Sequence, residues 1–94
     1  MRNKWGKHRA ATAPALDNNV VPLSDLHSGE EGVVVELAGG RGMLGRMTSL
    51  GFTPGAPVTV VQNFGRGPLI ALVRDARIAL GRGEAGHLYV RRGR

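Results

Sequence analysis

The side chains able to do chemistry in this chain are few and scattered. Three histidines, His8, His27 and His87, fall in separate stretches, and neither a histidine pair nor a carboxylate pair sits at ligand spacing on one element. Cysteine is absent, so the thiolates of structural metal sites are missing too, and the pattern predicts no dedicated metal site. The vicinal carboxylates Glu30 and Glu31 open a run of strand-forming residues, where successive side chains point to opposite faces; they read as solvated charges, not as a catalytic pair. Ser24, Ser28 and Ser49 have no histidine at a recognisable motif spacing, which leaves nucleophilic catalysis without support. The chain reads as non-catalytic and without a cofactor.

Recognition chemistry is better represented. Gly40-Arg41-Gly42, Gly65-Arg66-Gly67 and Gly81-Arg82-Gly83 read as arginines in separate loops, whose backbones could approach an anion or an acidic partner. The plainer reading, that glycine fills corners and arginine is a soluble neighbour, is favoured because connecting loops are polar in any case. Phe64, next to Gly65, is the best candidate for an exposed anchor, although a lone exposed aromatic is ordinary. Met43 and Met47 read as core residues and not as ligands, since their spacing forms the stripe that must be buried.

One helix and a set of short strands must position these residues. Met43, Met47 and Leu50 form a helical stripe with Leu44 on its flank, which predicts a helix over 43–50. It has no good side-chain N-cap, and Gly45 costs it about 1 kcal/mol relative to alanine, so tertiary packing must hold it. Gly51 suits the left-handed closing residue, with Phe52 folding back onto Met47 as in a Schellman cap. Pro54-Gly55 suits the two central positions of a type II turn. Arg46 projects to solvent, about 100° around the helix from Met47.

The other segments read as strands. Order begins near Val20, and Ser24 is placed to cap one helical turn through Leu26 that Gly29 stops. Strands are predicted over 32–37, 57–63, 69–74, 77–80 and 87–91. The third is so uniformly apolar that cover on both faces is expected, and Asp75-Ala76 reads as the hairpin turn after it. Val58, Val60, Ile78, Leu80, Leu88 and Val90 point inward, with His87 and Tyr89 outward. Residues 81–85 make a single turn. Five strands, one helix and Gly-rich corners predict a small, partly closed β-barrel.

Composition bounds the rest. Ninety-four residues with 41% hydrophobic content support one domain, and 4% aromatics leave little for a base-stacking platform. The net charge of +6 belongs to the two ends. Arg2, Lys4, Lys7 and Arg9 lie in a tail over 1–19, and Arg91, Arg92 and Arg94 lie at the other end, while charges between Val20 and Val90 balance. The tail lacks apolar periodicity and reads as disordered; Trp5 among its bases suits a membrane interface, though a plain solvated tail is the favoured reading. The domain is expected over 20–91, with 92–94 a basic end.

The run L-S-D-L-x-x-G-x-x-G-x-V from Leu23 to Val34, then M-L-G-R-M-x-x-L-G-F-x-P-G from Met43 to Gly55, then V-x-V, G-P-L-I-A-L-V-R and I-A-L-G-x-x-E-A to Ala85, resembles the FeoA-like family. That family comprises small cytosolic proteins of bacterial ferrous-iron uptake and a related module at the end of iron-dependent regulators. The resemblance implies an SH3-like barrel, no catalysis, and association with the large membrane GTPase that carries the iron. It also implies a cytoplasmic protein, brought to the inner membrane only through that partner. On this reading Arg41, Arg46, Phe64, Arg66 and Tyr89 are the partner-binding candidates, and Met47, Leu50, Gly51, Phe52, Pro54 and Gly55 are structural. Self-association stays open as a further partner. The alternative is a nucleic-acid-binding or regulatory SH3-like barrel using its basic termini, against which the neutral body argues.

Overall fold

The computed structural model describes residues 19–93; the readings of the N-terminal tail, including Trp5 and His8, and of Arg94 lie outside the described residues. The elements run β1 (Val20–Pro22), a 3-10 turn (Leu23–Asp25), β2 (Glu31–Leu37), α1 (Arg41–Leu50), β3 (Pro57–Gln62), β4 (Leu69–Val73), β5 (Ala76–Leu80), α2 (Arg82–Gly86) and β6 (Leu88–Arg92). The strands form one antiparallel sheet in the order β1-β6-β2-β3-β4-β5. Register shifts between Val34 and Glu36 and between Val60 and Gln62 bend the sheet where it must curl around its own apolar face. Leu23, Leu26, Val34, Met47, Phe52, Val58, Val60, Leu69, Ala71, Val73, Leu80, Ala85, Leu88 and Val90 make one buried cluster.

Period-two alternation places these residues as the sequence predicts. Val58 and Val60 face in from β3, and Leu88 and Val90 from β6, with Leu80 buried and Ile78 half-buried on β5. Among the described residues six strands stand where five were expected. The extra one, Val20–Pro22, pairs Val21 with Val90 and Pro22 with Tyr89. Three residues are too few to show alternation, and proline is tolerated there because β1 is an edge strand.

Three further readings are corrected. On β4, Leu69, Ala71 and Val73 are buried, but Ile70 and Leu72 are only half-covered, because β4 lies next to the edge strand β5 and the described residues form a single sheet. The hairpin turn is Arg74-Asp75, with φ of 51° and 64°, and Ala76 already pairs with Val73. This two-residue left-handed turn matches the twist of the flanking strands, although neither residue is the usual Asn or Gly. Ser24 lies inside the 3-10 turn and is no cap; the turn closes through the Leu26 N–H donating to the Leu23 carbonyl at 3.0 Å.

The exit of α1 follows the sequence closely. Gly51 adopts φ 107°, its N–H donates to Thr48 O at 3.0 Å, and the Phe52 N–H donates to Met47 O at 3.0 Å, the paired bonds of a Schellman cap. Met47 and Phe52 are fully buried, and Leu50 packs half-buried against the core. After Pro54, Gly55 takes φ 92° and the Ala56 N–H reaches Thr53 O at 2.9 Å, which completes a type II turn. The Gly55 N–H then donates to Val34 O at 2.7 Å, and the Val34 N–H to Ala56 O at 2.9 Å. The turn therefore delivers the chain into β3 already paired with β2. As expected, α1 has no side-chain N-cap, Gly40 standing in that position.

Candidate functional site

The connection between β3 and β4 is built on Asn63. Its Nδ2 donates to Ser24 O at 3.1 Å and Leu26 O at 2.7 Å, and its Oδ1 accepts from the Gly65 N–H at 2.9 Å and from Arg82 Nη1 at 3.1 Å. Its backbone N–H donates to Ser28 Oγ at 2.9 Å. Both faces of the amide are saturated, so one side chain ties the 3-10 turn, the turn before β2, the loop and the start of α2 into one unit. Sequence reasoning missed Asn63. The only signal was an asparagine two residues before a glycine, the spacing of an Asx turn.

Arg82 completes the brace. Nη1 also donates to Gly67 O at 3.1 Å, and Nη2 to Ser24 O at 3.3 Å. This guanidinium is spent on carbonyls and does not await an anion. The three Gly-Arg-Gly runs are consequently not alike: Arg41 and Arg82 are the first residues of α1 and α2, and of the three only Arg66 lies in a loop. From the braced loop Phe64 projects into solvent, 74% exposed, with Arg66 exposed two residues on.

Beside Phe64 opens a cleft of about 520 Å³, lined by Ser24, Asp25, His27, Asn63, Phe64, Gly65 and Arg92. Arg92 forms its far wall, donating from Nε to Glu30 Oε2 at 3.2 Å, from Nη2 to Glu30 Oε1 at 3.3 Å and from Nη2 to Asp25 O at 3.2 Å. Glu30 is thus a partner of Arg92, not merely a solvated charge, and Arg92 belongs to β6 and not to a free basic end. The His27 N–H donates to Glu30 Oε1 at 2.7 Å. That bond first, and the Arg92 guanidinium second, hold the Glu30 carboxyl below the usual carboxylate range.

The remaining candidates lie apart from the cleft. Arg41 is exposed on the first turn of α1. Arg46 is exposed on α1, as expected, and forms an ion pair with Glu84, whose Oε1 also accepts from the Gly81 N–H at 3.0 Å; the helix face is thereby tied to the turn of α2. Tyr89 is half-buried on β6 between β1 and β2. His87 ends α2 instead of starting β6, with Nδ1 2.7 Å from Gly83 O. Among the described residues no three His, Asp or Glu side chains gather as a metal would require. Among them, too, no helix is long and apolar enough to cross a membrane.

Residues 21–92 match the FeoA domain family, a range that takes in all of the sheet but Val20 and every residue lining the cleft. The chain belongs to the FeoA family. A Methanocaldococcus jannaschii protein bearing the name Fe(2+) transport protein A is 35% identical over 69 residues, covering 73% of this chain and 83% of that one. The crystal structure of an iron uptake regulatory protein, FeoA, superposes with a TM-score of 0.74 at 41% identity, covering 78% of this chain and 97% of that one. FeoA of Stenotrophomonas maltophilia, solved with zinc and described as a prokaryotic SH3 domain protein, gives a TM-score of 0.65 at 30% identity over 72% of this chain and 86% of its own. The curled sheet, with one full helix among the described residues, is therefore the SH3-like fold of FeoA proteins, as the sequence motifs imply.

Proposed function

We propose that this chain is a non-catalytic, cytoplasmic accessory protein of ferrous-iron transport that binds and regulates the large membrane GTPase carrying the iron. Membership of the FeoA family supports the transport role, as do a relative named for Fe(2+) transport and a Stenotrophomonas homologue for which a transport-activating role has been advanced. The observation that carries a binding role is Phe64. An aromatic ring 74% exposed is an unfavourable thing to hold in water, yet the loop beneath it is pinned by the saturated Asn63 and Arg82 network. Holding an anchor in its bound geometry beforehand lowers the ordering cost of association. Arg66 beside it and Arg41 on α1 add exposed cations that would meet acidic residues of a partner.

The test is capture of the GTPase by the purified chain, together with ferrous-iron uptake in cells. Phe64→Ala should keep the wild-type melting temperature and weaken capture about tenfold or more, with a parallel fall in uptake. Arg66→Glu and Arg41→Glu should weaken capture by less, as rim charges do. Full capture and uptake by a folded Phe64→Ala protein would remove this loop from the interface and turn attention to Tyr89 and the face of α1.

A further inference from the structure

The cleft beside Phe64 has a chemistry of its own. Most of its polar groups are already engaged: Asn63 is saturated, and Arg92 is turned onto Glu30 and the Asp25 carbonyl. The charge of Arg92 is balanced by Glu30. What remains is the Asp25 carboxylate, exposed and with no hydrogen bond or ion pair among the described residues, and the exposed His27 ring, with the Phe64 ring at the rim. One uncompensated negative charge beside an aromatic face selects for a cation, since the carboxylate supplies Coulomb attraction and hydrogen-bond acceptors while the ring supplies its negative π-face. An anionic ligand would meet Asp25 unfavourably and would compete with Glu30 for the Arg92 guanidinium, whose Nε and Nη2 are already engaged.

We propose that this cleft receives a cationic side chain, arginine or lysine, from the protein partner, seated between the Phe64 ring and the Asp25 carboxylate. The inference rests on the reading of the Phe64 loop as a partner-binding element and adds to it the chemistry of the partner. A volume of about 520 Å³ accommodates an extended arginine side chain with its flanking backbone. The same brace that pins Phe64 fixes the opposite wall, because Asn63 Nδ2 holds the carbonyls of Ser24 and Leu26 on either side of Asp25. Ring and carboxylate are therefore positioned by one hydrogen-bond unit. The neighbouring Arg66 does not contradict this selection, for it is exposed in the loop and does not line the cleft.

The experiment is a titration of the full-length, isotope-labelled chain, followed by amide NMR shifts. The probes are the tripeptide acetyl-Gly-Arg-Gly-amide and, in parallel, its Gly-Glu-Gly counterpart. The arginine peptide should shift the amides of His27, Asn63, Phe64 and Gly65 saturably, and the glutamate peptide should not. Asp25→Asn, an exposed and nearly isosteric change, should weaken the arginine response about threefold or more while leaving amides outside the cleft in place. Phe64→Ala should weaken it comparably. Absence of a saturable arginine response, an equal response to glutamate, or an unchanged affinity in Asp25→Asn would each overturn the proposal. So would cleft amides that ignore the peptide but move when Arg2, Lys4, Lys7 and Arg9 are replaced by glutamine, since the occupant would then be this chain's own N-terminal segment. Capture of the GTPase is read separately: capture without any arginine response sinks the cleft alone, and an arginine response without capture sinks the transport partner alone.

Discussion

At the scale of single residues, the site depends on side chains whose importance comes from the number of elements they join. Removing the Asn63 amide leaves the Ser24 and Leu26 carbonyls and the Arg82 guanidinium short of a partner in a part-buried setting. Asn63→Ala should therefore cost about 2–3 kcal/mol in urea denaturation. Asn63→Asp should not rescue it, because a carboxylate cannot donate to two carbonyls. Glu30 predicts a pH effect whose sign is fixed by its environment. Its folded-state pKa lies below the ordinary 4.5, so it stabilises the fold above that value and the contribution disappears as pH falls through the lowered folded pKa. Since the carboxylate is still 32% exposed and solvent screens it, the effect is modest. Melting temperatures followed from neutral pH into the acid range should fall less steeply for Glu30→Gln than for the wild type below the ordinary carboxylate pKa. Parallel acid limbs would show that Glu30 is not stabilised by the fold. Neither role was legible beforehand, because the partners of Asn63 and Glu30 lie as far as 39 and 62 residues away in sequence.

At the scale of elements, α1 and its exit were legible because the signals are local. A stripe at helical spacing, a glycine, an aromatic and Pro-Gly specify a Schellman cap and a type II turn with no help from the rest of the chain. The structure adds why Gly51 is confined from outside as well. A Cβ built there would meet Arg74 Cδ at 2.9 Å, in addition to the strain of φ 107°. Gly51→Ala should lower stability by about 1–2 kcal/mol, read from the denaturation midpoint, and an unchanged midpoint would contradict the strained cap. The β4–β5 hairpin gives the opposite lesson. Asp75 signalled the turn one residue late, because Arg74 carries no turn signature and its left-handed conformation goes with the pairing of Val73 with Ala76. Asp75→Gly relieves one such residue without disturbing Arg74 against Gly51, and should stabilise the protein by roughly 0.5–1 kcal/mol. A drop in melting temperature would mean that the Asp75 side chain stabilises the turn in another way.

At the scale of the whole molecule, charge argues for a protein partner over nucleic acid. Of the arginines in the described body, Arg46, Arg82 and Arg92 are engaged with Glu84, with carbonyls and with Glu30. The other charges between Val20 and Val90 balance, so the remaining arginines make no single-sign track for a phosphate backbone to follow. Fluorescence anisotropy with a random DNA duplex should show weak binding that collapses steeply with salt, and most of that slope should vanish when Arg2, Lys4, Lys7 and Arg9 become glutamine. Tight binding that persists at high salt would revive the nucleic-acid reading. By itself, the sequence determined the class of fold, the inward faces of most strands, and the helix with its exit. Each of these rests on periodicity or on turn chemistry over a few neighbouring residues. Tertiary structure alone decided the sixth strand, the hairpin register, the pairing of Arg46 with Glu84, and the cleft that brings Asp25 and His27 beside Phe64. The physical reason is that, the hairpin register apart, these are contacts between residues 37 to 71 positions apart in the chain. Only the curl of the sheet sets which of them meet, and no local pattern encodes it.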